Sequence, residues 1–256
     1  MRGGNYSREE TLLAFELYCT IPSGKVTVQN PQIIALAETL DRPVNSVKLK
    51  LQNFKAHDPS YTQDGRSGMA HGSKLDETIC QEFLQNWDLL IAETTEIKHQ
   101  FGLLQHENTT SELTIIPVGD DIEVTATQRV GQSFFRKALL AAYNGKCCFT
   151  GIAVPELLRA SHIKPWSKSN DVNEKTNPQN GLLLNALHDA AFDKGYITIT
   201  PDYRIVVSQK LLSDSEANRR YFMSICGQMI QLPSRFFPGK QFIEYHNEYY
   251  EKVNQG

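Results

Sequence analysis

The spacing of apolar residues changes partway along this 256-residue chain, and the change limits the folds that the chain can adopt. Up to residue 93, apolar side chains recur every three or four positions, which is the spacing of one helix face. Beyond residue 157, short β-rich runs alternate with helical ones. We therefore expect an α+β protein whose N-terminal part is mostly helical.

The helices of the N-terminal part carry recognisable start signals. Ser7 and Glu10 have the spacing of a capping box, and Pro31 stands near the start of a second helix. A third helix follows a three-residue break after residue 40, and residues 73–93 predict a further amphipathic helix.

The second and third of these helices have the outline of a helix-turn-helix. In the third helix, Val47, Leu51 and Phe54 share one apolar face, whereas Lys48 and Lys55 point outward. An ordinary helical hairpin with a solvated basic face is the alternative.

Acidic and basic residues are unevenly distributed along the chain. Residues 1–126 carry 10 basic and 18 acidic side chains, a net of −8, and residues 127–256 carry 16 and 11, a net of +5. We expect a recognition module at 1–93, an acidic linker at 94–126 with one short strand in "LTIIPV", and a second domain at 127–256. A basic domain is compatible with a polyanionic partner.

The second domain combines helices with short strands. A helix is predicted over 131–143, ended by Asn144 and Gly145, and "LLRASHI" reads as a strand. Two β-rich runs meet at Pro201–Asp202, which indicates a hairpin, and "FIEYHNEYYEKV" predicts a closing helix.

Three titratable side chains of this domain suggest chemistry. His162 in "ASHIKPW" has no neutralising neighbour, so it is either a core histidine or a general base. Asp189 and Asp193 stand four residues apart on a predicted helix and therefore share one face. Two carboxylates so close repel each other unless a cation lies between them, although a solvated acidic face is the alternative.

Four segments in fixed order resemble the HNH endonucleases: "GQSFFR", "CCFTG", "SHIKPW" and "NGLLLNALHDAAFDKG". The resemblance covers roughly residues 128–250. The upstream helices look, more loosely, like the winged-helix-like module that is often joined to such domains.

The resemblance implies a ββα-metal finger, with flanking helices and a hairpin around it. By position, His162 is similar to the general base that activates water, and Asn180 to the residue that fixes the loop before the helix. Asp189 and Asp193 follow Asn180 by 9 and 13 positions, where the family places metal ligands. Many members carry another ligand where this chain has Ser161.

The candidate ligands favour a magnesium-like ion and do not favour a structural zinc ion. Carboxylates favour Mg²⁺, with Mn²⁺ or Ni²⁺ as alternatives. Cys147 and Cys148 are adjacent and no second pair follows, so a structural zinc site is not expected. Candidate phosphate contacts, each of which could instead be an ordinary surface or packing residue, are Lys48, Lys55, Arg129, Arg136, Lys164 and His188.

Together these features predict a metal-dependent endonuclease of restriction or defence type that cuts double-stranded DNA. Because one finger cuts one strand, we expect a homodimer. The alternative is a DNA-binding regulator, or a sensor of a signal or modified base, with a degenerate HNH domain. Five scattered cysteines, no signal peptide and no apolar run of 18 residues predict a cytoplasmic protein without a membrane partner.

Overall fold

The computed structural model describes residues 4–59, 73–103, 126–170 and 173–255, and the α+β class is confirmed. The helices are α1 (Arg8–Thr20), α2 (Pro31–Thr39), α3 (Val44–Asn53), α4 (Lys74–Phe83), α5 (Trp87–Gln100), α6 (Ala126–Ala142), α7 (Ala186–Asp193), α8 (Gln209–Asp214), α9 (Glu216–Phe222) and α10 (Lys240–Asn254). The strands are β1 (Leu158–His162), β2 (Gly181–Asn185), β3 (Ile197–Ile199) and β4 (Ile205–Val207). None of the helices in these ranges is long and apolar enough to cross a membrane.

Helices α1 to α5 form an N-terminal bundle around one apolar core. The capping box predicted for α1 is present: Ser7 Oγ accepts a hydrogen bond from the Glu10 amide at 3.2 Å, and the Glu10 carboxylate accepts one from the Ser7 amide at 2.8 Å. Helix α2 begins at Pro31, and the inward face predicted for α3 is confirmed, since Val47, Leu51 and Phe54 are fully buried.

The single helix predicted over 73–93 is wrong, because the structure has two helices there. Helix α4 ends at Phe83 and α5 begins at Trp87. Asn86 leaves the helical conformation (φ −143°, ψ 62°), and the break lets Trp87 pack against Phe134 and Phe236, with ring centroids 6.0 and 5.1 Å away. Burial of a whole indole outweighs the helix bonds that the break removes.

The acidic segment expected to be a linker is helical at its start. Helix α5 continues to Gln100, and its Thr94 and Ile97 are buried. Residues 104–125, including the "LTIIPV" strand, lie outside the described residues.

Helix α6 packs against both halves of the molecule. Phe134 and Ala138 belong to the core of the N-terminal bundle, whereas Phe135 and Leu139 belong to a second core. Adjacent helix positions are about 100° apart, so neighbouring residues can face different cores. The division into a recognition module and a nuclease domain remains a prediction, since α6 serves both cores.

The second core surrounds two antiparallel strands that lead into a helix. In the β1–β2 pairing, Leu158 lies opposite Asn185 and His162 opposite Gly181. Gly181 lets β2 approach α6, because a Cβ there would lie 2.6 Å from Leu139 Cδ1. We call β1, the loop after it, β2 and α7 (residues 158–193) the ββα unit.

The remaining elements close the second core as expected. Helix α6 ends before Asn144 and Gly145, both at positive φ. The predicted hairpin is present as β3–β4, and the predicted closing helix is α10. Arg235 reaches back into the bundle, where its buried guanidinium donates hydrogen bonds to the carbonyl oxygens of Tyr18 and, at 2.8 Å, Ile21.

Candidate active site

His162 is the last residue of β1, and its ring is held on three sides. It stacks on the Phe135 ring of α6 at 3.9 Å between centroids, and the Trp166 ring meets it edge-on at 5.5 Å. His162 Nε2 lies 2.8 Å from the carbonyl oxygen of Lys175. Since a carbonyl can only accept, Nε2 carries the hydrogen and Nδ1 of the neutral ring has a lone pair to offer.

The surroundings of His162 keep its imidazole uncharged. Burial lowers the pKa of His162 to about 4, and the bond to Lys175 opposes this fall only in part. Burial dominates because an imidazolium among aromatic rings loses its hydration. At neutral pH the side chain is therefore in the form that accepts a proton.

Asn180 ties together the two ends of the loop between β1 and β2. Its side chain is fully buried, and its Oδ1 accepts a hydrogen bond from the Lys164 amide at 2.8 Å. Its Nδ2 donates to the carbonyl oxygens of Lys164 and Glu174, both at 3.1 Å, and to Ser169 Oγ at 3.2 Å. One amide group thus fixes the loop that carries the carbonyl partner of His162.

Asp189 and Asp193 lie on α7, which follows β2 without a connecting loop. Burial raises the pKa of Asp189, although Ser161 and Arg159 oppose the rise. Asp193 is exposed at the helix end, yet loss of hydration and then the Asp189 charge raise its pKa to about 6. The charge of Asp189 therefore disfavours the ionised form of Asp193, and a cation bound between two such carboxylates would remove this repulsion.

The hydroxyl of Ser161 lies beside the Asp189 carboxylate and lowers its pKa. The residue is 3% exposed, so this hydroxyl is buried between β1 and α7. One hydroxyl and two carboxylates are hard oxygen groups of the kind that a hydrated divalent ion binds. Within the described ranges, however, no three His, Cys, Asp or Glu side chains converge. The protein would supply few ligands to that ion.

Strand alternation places Ser161 and His162 on opposite faces of β1. Ser161 faces Asp189 of α7, whereas His162 lies on Phe135 of α6. Arg159 shares the face of Ser161 and is close enough to lower the pKa of Asp189. Sequence reasoning missed Arg159, although its position two residues before Ser161 could have pointed to it.

Three of the predicted phosphate contacts, all in the second half of the chain, differ in their exposure and in their hydrogen-bond partners. Lys164 is half-buried and paired with Glu174 at 2.7 Å, at the base of the loop. Arg136 donates to the carbonyl oxygens of Leu158 and Pro155 at 2.9 and 3.1 Å. Arg129 is exposed on α6.

His188 is buried, which removes it from the phosphate contacts that the sequence suggested. It is 4% exposed between the rings of Phe149 and Phe222, and its Nδ1 lies 2.8 Å from Asn185 Nδ2. Its neighbours on α7, Leu187 and Asp189, are more exposed, because adjacent helix positions point in different directions. Burial lowers the pKa of His188.

Lys48 and Lys55, the two phosphate contacts predicted near α3, differ in their surroundings. Lys48 is half-exposed on the outer side of α3, as expected. Lys55 follows α3 and is half-buried; burial and then the charge of Arg235 lower its pKa. Lys55 thus lies near the residue that joins the two cores.

Comparison with known proteins agrees with this geometry. Residues 147–200 match the family model described as HNH endonuclease, a range that contains β1, the loop, β2, α7 and β3. No curated protein matches the chain. The matched segment has the strand, loop, strand and helix order of the ββα unit, so residues 147–200 are an HNH endonuclease domain.

Proposed function

We propose that this protein is a metal-dependent DNA endonuclease of restriction or defence type. One observation carries the proposal: β1 ends with Ser161, which faces Asp189 of α7, and with a neutral His162 on the other face, whose Nε2 donates to the Lys175 carbonyl. A general base and a pair of hard oxygen ligands are what phosphodiester hydrolysis by a metal-dependent nuclease requires.

In the proposed mechanism, His162 Nδ1 accepts a proton from the attacking water. Asn180 keeps the loop, and with it the Lys175 carbonyl, in place, so that Nδ1 stays the accepting nitrogen. Asp189 and Asp193, with Ser161 beside Asp189, would hold a divalent ion, Mg²⁺ first and Mn²⁺ or Ni²⁺ as alternatives. Such an ion, when bound, supplies positive charge that stabilises the phosphate as negative charge develops on it.

Charge and helix arrangement favour DNA as the substrate. The half of the chain that contains the ββα unit has the net of +5, and Arg159 and Lys164 could meet backbone phosphates near it. Helices α2 and α3 pack on each other and leave Lys48 on the outer side, which suits a recognition role for the bundle. We further propose a homodimer, since two fingers are needed to cut both strands.

A DNA-binding regulator, or a sensor of a signal or modified base, is the second candidate. Ser161 stands where many family members have a ligand, and two aspartates alone make a weak metal site. A chain of this kind would retain DNA but leave it intact.

The test is digestion of supercoiled plasmid, methylated and unmethylated, with Mg²⁺, Mn²⁺ or Ni²⁺. We expect nicked or linear product from the wild type, and at least a ~100-fold slower reaction from His162→Ala with DNA binding retained. His99→Ala, which changes an exposed histidine of α5, is the matched control.

The outcomes separate the two candidates. Full cleavage by His162→Ala would contradict the assignment of the base. Specific retention of DNA without cleavage in any of the three metals would favour the regulator.

A further inference from the structure

A hydrogen bond joins the N-terminal bundle to the loop of the ββα unit. Thr176 Oγ1 donates to Asp88 Oδ1 at 2.7 Å, although the two residues are 88 positions apart. Thr176 is 2% exposed and directly follows Lys175, whose carbonyl oxygen accepts the hydrogen of His162 Nε2 at 2.8 Å. The bundle thus contacts the loop one residue away from the partner of the proposed base.

The two ends of this connection are firmly placed. Asp88 lies in the first turn of α5, next to Trp87, which is fully buried against Phe134 and Phe236. On the other side of Thr176 lies α6: a Cβ at Gly131 would be 3.0 Å from Thr176 Cγ2. The hydroxyl and the methyl group of Thr176 are therefore held by two different helices.

The position of Thr176 affects His162 through the peptide group that joins Lys175 to Thr176. The carbonyl of Lys175 and the amide nitrogen of Thr176 belong to the same peptide group, which is planar. Fixing Thr176 consequently fixes the direction of the Lys175 carbonyl, and the direction of that carbonyl decides which ring nitrogen of His162 carries the hydrogen.

We propose that Asp88 is a positioning residue for His162, acting through Thr176 and the carbonyl of Lys175. The N-terminal bundle then completes the nuclease site by holding Nε2 as the donor and leaving Nδ1 open. This inference rests on the proposed function, in which His162 is the general base. It assigns the bundle a part in the reaction in addition to recognition.

Kinetics with four variants provide the first test. Asp88→Ala and Thr176→Val each remove the hydrogen bond, and we expect single-turnover cleavage to slow about tenfold while DNA affinity is unchanged. Asp88→Asn keeps an oxygen acceptor and should restore most of the rate. The double variant Asp88→Ala with Thr176→Val should be no slower than either single one, because both remove the same bond.

Thr94→Val is the matched control for Thr176→Val. Thr94 is buried on α5, the helix that carries Asp88, and its hydroxyl donates to the Leu90 carbonyl at 2.7 Å. The substitution costs a comparable hydrogen bond without touching the loop, so the cleavage rate should stay at the wild-type level.

A second measurement does not depend on cleavage. In protein labelled with ¹⁵N-histidine, the signals that disappear in His162→Ala identify this ring, and the wild type at neutral pH should show the Nε2–H tautomer. Asp88→Ala and Thr176→Val should move the population towards Nδ1–H, whereas Asp88→Asn and Thr94→Val should not.

The two measurements distinguish failure of this inference from failure of the proposed function. If the wild type cleaves, a wild-type rate and an unchanged tautomer in both Asp88→Ala and Thr176→Val overturn the inference. An equal loss of rate in Thr94→Val also overturns it, because the effect is then general destabilisation. If no variant cleaves DNA and the tautomer nevertheless shifts, the coupling stands and the nuclease function fails.

Discussion

Charged side chains are paired in the core of the N-terminal bundle, whereas the titratable groups of the candidate site in the ββα unit are not. In the bundle, the ammonium of Lys50 contacts the fully buried carboxylate of Asp76, and Arg42 pairs with Glu10 at 2.7 Å. In the ββα unit, His162, Asp189 and Asp193 make no ion pair with any residue that the structure describes, and their pKa values move towards the neutral forms.

Under the proposed function, the paired charges of the bundle serve the fold and the unpaired groups of the ββα unit serve the reaction. A buried pair is stable because each partner replaces the water that the other has lost. Unpaired titratable groups reduce stability, and groups of this kind are concentrated where a substrate or an ion completes the arrangement. The three predictions below test this contrast, beginning with the largest effect.

Lys50→Met should destabilise the bundle most. The change keeps the length of the side chain but leaves the Asp76 carboxylate buried without its cation, which should cost about 4 kcal/mol in the free energy of unfolding. Trp87 lies in this core and Trp166 in the ββα unit, so urea unfolding in a Trp166→Phe background reports on the bundle.

Lys48→Met on the same helix is the control. Lys48 is half-exposed, and its loss should change the free energy of unfolding by less than about 0.5 kcal/mol. Equal effects of the two substitutions would mean that the Lys50–Asp76 contact does not stabilise the bundle.

Acid should destabilise the second core through its buried histidines. His246 is buried against Phe192, and burial lowers the pKa of His246, as of His162, from 6.5 to about 4. Between these pH values the unfolded chain binds protons that the folded protein does not, so stability falls as the pH falls from 6.5 to 4. His246→Phe should remove about 3 kcal/mol of this pH-dependent loss.

Urea unfolding at several pH values between 6.5 and 4 measures this effect. Asp193 works in the opposite direction, because its raised pKa makes the folded protein bind a proton more readily. The test is therefore the difference in the pH dependence of stability between the wild type and His246→Phe. His99→Gln, at an exposed position, is the control. Identical slopes in all three proteins would contradict the role of His246.

Asp193→Asn should have the smallest effect on stability, and its sign should be opposite to that of Lys50→Met. Above pH 6, removing a carboxylate that Asp189 repels should stabilise the metal-free protein by under about 1 kcal/mol, because solvent screens an exposed charge. The same change should weaken or abolish the stabilisation that Mg²⁺ or Mn²⁺ gives the wild type and should remove cleavage.

Thermal unfolding with and without each ion measures both parts. Asp202→Asn, at an exposed turn, is the control. A metal-dependent stabilisation that is the same in the wild type and in Asp193→Asn would exclude Asp193 as a ligand.

Local features of the fold could be predicted from the sequence, but contacts between distant residues could not. The capping box at Ser7, the stop at Asn144 and the hairpin at Pro201 depend on neighbouring residues, and all three are present. The break before Trp87 depends instead on Phe134 and Phe236, which are far away in the chain.

The candidate site shows the same limit. The spacing of Asp189 and Asp193 is local, so their common helix could be expected. Burial of His188 depends on the rings of Phe149 and Phe222, and the position of Thr176 depends on Asp88 and Gly131; no pattern near these residues indicates such contacts.

Because α6 packs into both cores, its residues limit how the N-terminal bundle could be replaced by another one. Inserting or deleting one residue in α6 between residues 126 and 134 would turn the preceding turns by about 100° relative to Phe134 and Phe135. A foreign bundle joined to the ββα unit in place of the present one would therefore need a surface that accepts Phe134 and Ala138 in their present orientation. The orientation of residues around α6 therefore limits which N-terminal bundles could replace the present one.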